Sequence, residues 1–198
     1  MLMPQSFFNQ DATEVARQVV GHVLRQGEIA LRITEVEAYP PGDTASHCRM
    51  GHTARNRPMW GAPGYTYVYL CYGIHNMLNL VTNPEGEGAA VLVRACEPLA
   101  GHGLIAARRG GRCGPDALNG PGKVGAALQL QTSDSDEPLF KPGGLTLEQG
   151  QAPASLRVGP RVGIDFAEPQ DVRAPWRFAC GTSAFVSQPK RLRPYGPR

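Results

Sequence analysis

The chain has 198 residues, of which 41% are hydrophobic and 19% are charged, and its formal net charge is +3. This composition is ordinary for a globular protein and excludes a disordered or strongly basic chain. The five cysteines form no C-x-x-C pair, so we expect a reduced compartment rather than a disulfide scaffold. No apolar run reaches the roughly 18 residues of a membrane helix, and the N-terminus does not resemble a signal peptide.

The first predicted elements are a helix and two strands. Asp11 is a good N-cap, and apolar residues at helical spacing follow it as far as Val19. Strands are predicted over residues 22–25 and 29–37. Strict alternation in the second strand places six side chains on one face: Ile29, Leu31, Ile33, Glu35, Glu37 and Tyr39. An apolar face that ends in acids would present carboxylates to a cleft, unless a β-bulge shifts the alternation by one residue.

The remaining predicted elements are short, in keeping with the 24 glycines and 18 prolines. Residues 40–64 form a long loop, and loops of this length are usually functional or mobile. A strand over 65–71, a turn at Tyr72-Gly73 and a strand over 76–82 predict a hairpin. Further strands are expected over 89–95, 155–165 and 175–180, with helices over 99–109 and 121–129 and a polar surface excursion over 131–153. Residues 1–198 are expected to form one domain, with a flexible basic tail over 188–198.

One fifth of the chain concentrates side chains that are suited to chemistry. Five of the six tyrosines lie between positions 39 and 72, together with Glu37, His47 and the Arg55-Asn-Arg57 segment. Flat rings bind planar ligands, and a carboxylate beside them can activate water. The combination indicates an enzyme that stacks a planar group and hydrolyses a bond next to it.

Each of these residues also has a purely structural explanation. An acid such as Glu37 at a strand end is usually a surface or paired charge, and tyrosines favour strands for their shape. A zinc site at His47, Cys48 and His52 is not expected, because the adjacent His-Cys pair has poor chelate spacing and no fourth ligand is evident. Gly120-Pro-Gly-Lys123, at a predicted helix start, is typical of a phosphate contact but lacks the Walker A pattern.

Taken in order, the motifs resemble the alkyladenine DNA glycosylases, also called 3-methyladenine DNA glycosylases. The resemblance extends from Phe7-Phe8 to about Val186. It is carried by Glu35-Val-Glu37-Ala-Tyr39, His47, Arg55-Asn-Arg57, Tyr67-Val-Tyr69, Tyr72-Gly73, Asn79, Val91-Leu-Val-Arg94-Ala-Cys-Glu97-Pro98, Gly120-Pro-Gly-Lys123 and Arg161-Val-Gly163. Each motif alone is weak, but their common order is specific.

The resemblance implies a role for each matching position. Glu37 would be the general base that deprotonates a water attacking the anomeric carbon of a deoxyribose, and Arg94 and the backbone carbonyl of Val162 would hold that water. The extruded base would lie among Tyr39, His47, Tyr69 and Asn79, where Asn79 rejects normal guanine. Tyr72 would fill the gap left in the duplex. The DNA backbone would be contacted by Arg55, Arg57, Gly73 and Lys123.

The resemblance also implies an α+β fold, a single domain with a curved, mostly antiparallel sheet, surrounding helices and a β-hairpin that projects toward DNA. The expected activity is a monomeric, monofunctional DNA glycosylase that initiates base excision repair on alkylated or deaminated purines. It would need no cofactor and no metal. No lysine is placed to replace Glu37 as nucleophile, so water would be the nucleophile and the bond would be hydrolysed without cleavage of the DNA strand. Its partner would be double-stranded DNA with damaged purines, with no membrane and no obligate protein partner, in the cytoplasm at the nucleoid or in the nucleus.

Two other functions stay open on the residues alone. A hydrolase of free nucleosides or other glycosides could use Glu37 together with Glu35 or Asp43. A non-catalytic module could bind distorted DNA and use its tyrosines as a stacking platform. For neutral damaged purines a general acid would also be required, and His47 is the candidate.

Overall fold

The structure, a computed structural model, describes residues 1–196, and nine antiparallel strands form one sheet across them. The strands are β1 (Val23–Gln26), β2 (Ile29–Tyr39), β3 (Thr66–Cys71), β4 (His75–Thr82), β5 (Ala89–Ala100), β6 (Thr146–Glu148), β7 (Leu156–Gly159), β8 (Arg177–Cys180) and β9 (Arg193–Pro194). Their order is β3-β4-β5-β2-β8-β7-β9, and β1 pairs with both β2 and β6.

Five short α-helices surround the sheet, which confirms the predicted α+β class. They are α1 (Gln5–Phe8), α2 (Ala12–Val19), α3 (His102–Arg108), α4 (Pro121–Ala127) and α5 (Pro169–Arg173). Single turns of 3-10 helix lie at His47–Met50, Arg57–Trp60, Pro115–Ala117, Thr132–Asp134 and Pro189–Arg191. Across residues 1–196, none of the helices combines the length and apolarity that crossing a bilayer requires.

Helix α2 forms for the reasons that its sequence indicates. The Asp11 carboxylate accepts a hydrogen bond from the Thr13 backbone N–H at 2.8 Å and so caps the first turn. The buried face of the helix consists of Ala12, Val15, Ala16 and Val19. Glu14 pairs with Arg17 at 2.7 Å on the opposite, exposed face.

The face of β2 that carries the acids differs from the prediction. Ile33 and the alternate residues before it lie in the main hydrophobic core, but beyond the bulge the core residues are Val36 and Ala38. The pairing of β2 with β5 is irregular on both sides of Glu35, so the alternation shifts by one residue. The expectation that Glu35, Glu37 and Tyr39 continue the face of Ile33 is therefore wrong. The bulge turns all three away from the core.

Three further expectations are corrected. Strand β5 extends to Ala100, so the helix expected from residue 99 begins only at His102. The expected surface excursion over 131–153 contains buried leucines, and β6 pairs with β1. The expected flexible tail forms β9, which pairs with β7, and Leu192 is buried against Ala179 and Val186. Residues 197–198, the end of the expected tail, lie outside the described residues.

Strands β3 and β4 form a hairpin whose tip stands in solvent. Tyr72 and Ile74 at the tip are 89% and 72% exposed. Tyr72 has a φ of 50°, an uncommon value for a residue other than glycine, and Gly73 follows with 72°. The Ile74 backbone N–H closes the turn by donating to the Cys71 carbonyl at 3.1 Å.

Helix α4 lies very close to the start of β4, next to the tip of this hairpin. A Cβ atom added at Gly125 would lie 1.9 Å from the Asn76 carbonyl oxygen, and one added at Gly122 would lie 2.7 Å from the His75 ring. At Gly125 the neighbour is backbone, and only glycine allows two backbones to approach so closely. The position of the hairpin therefore depends chiefly on Gly125, whereas Gly122 leaves room for the side chain of His75.

We predict that Gly125→Ala destabilises the protein by about 1–3 kcal/mol, because the new methyl group meets backbone that must move. Gly103→Ala is the matched control, since a Cβ at this helical glycine in α3 meets nothing within 4 Å. That control should leave stability unchanged or raise it by up to about 1 kcal/mol. Urea denaturation measures both changes, and equal effects at the two sites would contradict the close approach.

Candidate active site

A cavity of about 590 Å³ opens beside the bulged half of β2. Its lining comes from β2, the 3-10 helix His47–Met50, the β3–β4 hairpin, β5 and the loop after β7. The structure brings together most of the residues that the sequence singled out: Glu37, Tyr39, His47, Arg55, Tyr69, Tyr72, Asn79, Arg94 and Val162. The cavity therefore contains both the acid with its partners and the aromatic rings.

The Glu37 carboxylate is fully buried and is held by two hydrogen bonds and an ion pair. The Val162 backbone N–H donates to Oε1 at 2.7 Å, and the Tyr39 hydroxyl donates to Oε2 at 3.0 Å. The Arg94 guanidinium lies 3.2 Å from Oε1. All three contacts complement a negative charge. Val162 meets Glu37 through its N–H, and the expected contact of its carbonyl with water stays a prediction.

Arg94 also belongs to a second buried ion pair behind Glu37. Its Nε donates to Glu35 Oε1 at 3.1 Å, and Arg177 donates to the same oxygen at 3.1 Å. The Ser187 hydroxyl donates to Glu35 at 2.8 Å, so the chain near the C-terminus closes over this carboxylate. Two acids and two arginines therefore balance in charge, as buried ions must.

The charges in this cluster keep Arg94 protonated. Burial acts to lower the pKa of Arg94, but the carboxylates of Glu37 and Glu35 outweigh it and the pKa is raised. Burial lowers the pKa of Arg177, which has Glu35 as its ion-pair partner. Arg94 is thus a fixed cation between two carboxylates.

Tyr39 is fixed by Arg161, a residue of the Arg161-Val-Gly163 motif for which the resemblance implied no role. The Arg161 guanidinium lies between two rings, 4.7 Å from the centroid of Tyr39 and 4.9 Å from that of Trp176. Arg161 is buried and forms a two-pronged ion pair with Asp43, one contact of which measures 2.8 Å. Burial, followed by the charge of Glu37, raises the pKa of Tyr39 well above its usual value, so the phenol keeps the proton that it donates.

Arg161 is also covalently next to Val162, so it restrains both the ring and the amide that hold Glu37. The contact between Arg161 and Asp43 joins residues 118 positions apart, and no local sequence pattern signals it. The one available signal was the Arg161-Val-Gly163 motif, which the resemblance had already included.

His47 contributes a neutral ring to the cavity. Its Nδ1 lies 2.9 Å from the Tyr67 hydroxyl, and its ring centroid is 4.4 Å from that of Tyr69, edge to face. Burial, assisted by the nearby charges of Arg55 and Arg49, lowers the pKa of His47 to about 4. Burial also raises the pKa of Tyr67 to about 12, so this hydroxyl stays protonated. Tyr67 was missed as a site residue, although it shares a strand face with Tyr69.

Asn79 has a defined orientation in the cavity. Its side-chain amide donates to the backbone carbonyls of Tyr67 at 3.1 Å and Met77 at 3.3 Å. The side chain is buried, and both acceptors belong to the hairpin. A residue held in this way can define the shape of the cavity.

Three predicted DNA-backbone residues lie outside the cavity lining. Arg57 forms an exposed ion pair with Asp136, and Gly73 is at the hairpin tip. Lys123 lies at the start of α4, where its amine donates to Asp116 at 2.6 Å and to Asn119 at 2.8 Å. Their predicted contacts with DNA stay predictions.

The family model that matches this chain and three similar proteins all carry the names of methylpurine or methyladenine DNA glycosylases. The model of the methylpurine-DNA glycosylase family matches residues 6–184. A Nitrosococcus oceani protein named as a candidate 3-methyladenine DNA glycosylase is 54% identical over 98% of this chain and 96% of its own length. The DNA-3-methyladenine glycosylase of Arabidopsis thaliana is 51% identical over 96% of this chain and 75% of its own length. A candidate enzyme of the same name from Methanocella arvoryzae is 41% identical over 94% and 96%.

We predict that His47 titrates at about pH 4, because burial and two arginines disfavour its charged form. Its pKa lies below the unfolded value of 6.5, so its contribution to stability is complete above pH 6.5 and is lost as the pH falls toward 4. An NMR titration of the imidazole signals, assigned with the His47→Gln variant, measures this. Titration of His47 at or above pH 6.5 would contradict the described environment.

Proposed function

The chain belongs to the methylpurine-DNA glycosylase family and is a DNA N-glycosylase of the 3-methyladenine type. On that basis we propose that it extracts alkylated purines from duplex DNA and hydrolyses their N-glycosidic bond with a water activated by Glu37. One observation supports the proposal above all. A buried carboxylate, held by two hydrogen bonds and an ion pair, lies in the wall of a ring-lined cavity.

The cavity would accept a purine that has left the helix. A base within a duplex is unreachable, and flipping it out costs a few kcal/mol. Stacking on aromatic rings offsets this cost by about 1–3 kcal/mol per contact. Tyr39, His47 and Tyr69 would hold the purine, while Tyr72 on the exposed hairpin tip would occupy the gap in the duplex. Asn79, fixed by two carbonyls, would crowd the exocyclic amine of guanine.

The reaction would depend first on the purine as a leaving group and then on Glu37 as the general base. A purine alkylated at N3 or N7 is cationic, so electron-rich rings attract it and its C–N bond breaks readily. The electron pair of that bond goes to the purine as an oxocarbenium-like sugar forms. Water then bonds to the anomeric carbon while its proton passes to Glu37. A positioned general base contributes roughly 10²–10⁴ in rate. Arg94 and the Val162 carbonyl would orient the water.

Damaged purines that are cationic from the start suit this cavity best. A neutral purine must be protonated to leave, and His47 was the candidate acid. Since its pKa is about 4, His47 is almost entirely neutral at pH 7. We therefore assign it to stacking and to a hydrogen bond with the edge of the base, rather than to proton donation.

The rival functions have less support. Besides the two rivals that the residues leave open, a lyase acting through Lys123 would need an amine at the sugar, but Lys123 is outside the cavity lining and has two partners of its own. A hydrolase of free nucleosides has no use for Tyr72, an exposed ring held at a positive φ. A binding module does not require a carboxylate in the wall of its stacking cavity, where Glu37 lies. The proposed enzyme would act where the cell keeps its DNA, at the nucleoid or in the nucleus.

We predict that Glu37→Gln lowers single-turnover release of 3-methyladenine from duplex DNA by at least about 10², because the amide cannot take a proton from water. Binding of the damaged duplex should change little. Glu97→Gln is the control, since this acid is partly exposed and pairs with Arg32 at 3.1 Å. Release by Glu37→Gln at the native rate would refute the proposed mechanism.

We also predict that Tyr72→Ala weakens release from duplex DNA by about tenfold or more, because no side chain then fills the gap left by the purine. Tyr195→Ala, at a tyrosine that is 49% exposed and lies outside the cavity lining, is the control. If Tyr72→Ala acts on duplex DNA as the native enzyme does, the hairpin tip is not a wedge.

A further inference from the structure

The mouth of the cavity carries exposed apolar side chains. Met50, Tyr72 and Phe166 all line the cavity and are 82%, 89% and 65% exposed. Tyr72 has a role in the proposed function, but Phe166 has none. It lies in the loop after β7, four residues beyond Val162. Together the three side chains place apolar surface around the cavity mouth, and exposed apolar surface that is grouped in this way is typical of an interaction site.

The charge at the mouth is positive. Arg49 and Arg55 are exposed lining residues, and within residues 1–196 the cavity lining contains a single carboxylate, the buried Glu37. Asp165 precedes Phe166 in the chain but is not part of the lining. A mouth with two arginines and no exposed carboxylate is complementary to an anion.

Arg49 and Phe166 are in contact with each other. The Arg49 guanidinium carbon lies 5.4 Å from the centroid of the Phe166 ring. The guanidinium also donates to the Ser46 carbonyl at 3.3 Å, and within the described residues no carboxylate pairs with it. Its remaining N–H groups are free to bind an anion. The pair thus joins the segment that carries His47 to the segment that carries Val162.

We propose that Arg49 and Phe166 form a clamp on the DNA backbone at the cavity mouth. The guanidinium would bind a phosphate beside the extracted nucleotide, and the ring would pack on the apolar face of the adjoining deoxyribose. The inference rests on the proposed function, because a nucleotide whose base enters the cavity must lead its sugar and phosphates across this mouth. Arginine suits such a contact since its fork matches a phosphate.

A clamp and a simple cover over the cavity would change different quantities, the affinity for DNA and the rate of the bound complex. A clamp acts on the affinity for DNA and leaves the rate of the bound complex alone. A cover would act on the chemistry inside the cavity, by admitting water or loosening the purine, and would change the rate at saturation. Affinity and saturated rate are therefore measured separately.

The test compares Arg49→Gln and Phe166→Ala with the native protein and with Arg17→Gln, a partly exposed arginine outside the cavity lining. Affinity is measured by fluorescence anisotropy on a duplex that carries one stable tetrahydrofuran abasic site, over a range of salt concentrations. Rate is measured as single-turnover release of 7-methylguanine at saturating protein. Both altered positions are exposed, so the variants should fold, and thermal unfolding checks this.

We expect each clamp variant to raise the Kd roughly tenfold and to leave the saturated rate within about twofold. Arg49→Gln should also reduce the slope of log K against log salt by about 1, as the loss of one phosphate contact requires, whereas Phe166→Ala should keep the native slope. Native values of Kd and slope in both variants would overturn the clamp, and so would a fall in saturated rate at unchanged Kd. If the native protein itself releases no base, the proposed function fails instead.

Discussion

The buried charge of Glu37 is the constraint on which the rest of this structure depends. A carboxylate removed from water is tolerated only where donors replace its hydration. Here the replacements are an amide, a phenol and a guanidinium, and each comes from a different part of the chain: Val162, Tyr39 and Arg94. The loop after β7, the end of β2 and the middle of β5 must therefore meet at one point.

The supports of these donors explain much of the surrounding architecture. Arg161 restrains Tyr39 through its ring and Val162 through the chain, and its own charge is balanced by Asp43. Arg94 is shared with Glu35, which Arg177 and Ser187 also hold. Such layers fix a functional group more firmly than direct contacts alone, since each donor has little freedom of its own. Ser187 thus contributes, from the last part of the sequence, to a site whose residues are mostly in the first half.

Local chemistry in the sequence was sufficient for part of this picture. Asp11 and the apolar spacing after it define α2, and the alternation around Tyr72-Gly73 defines the hairpin. The bulge in β2 could not be placed, because it depends on the register with β5 rather than on its own residues. The Arg161–Asp43 pair and the pairing of β9 with β7 join distant segments, so no local pattern encodes them. The acids and rings could be identified from the sequence because their residue types indicate their chemistry. The residues that hold them in place could be identified only from the fold.

The most direct measurement is a crystal structure of the protein on duplex DNA that contains a non-hydrolysable nucleotide analogue of an alkylated purine. We expect the purine to lie in the cavity among Tyr39, His47 and Tyr69, with one water between the Glu37 carboxylate and the anomeric carbon. A purine that remains stacked in the helix, or an anomeric carbon too far from Glu37 for a single water to bridge, would contradict this expectation.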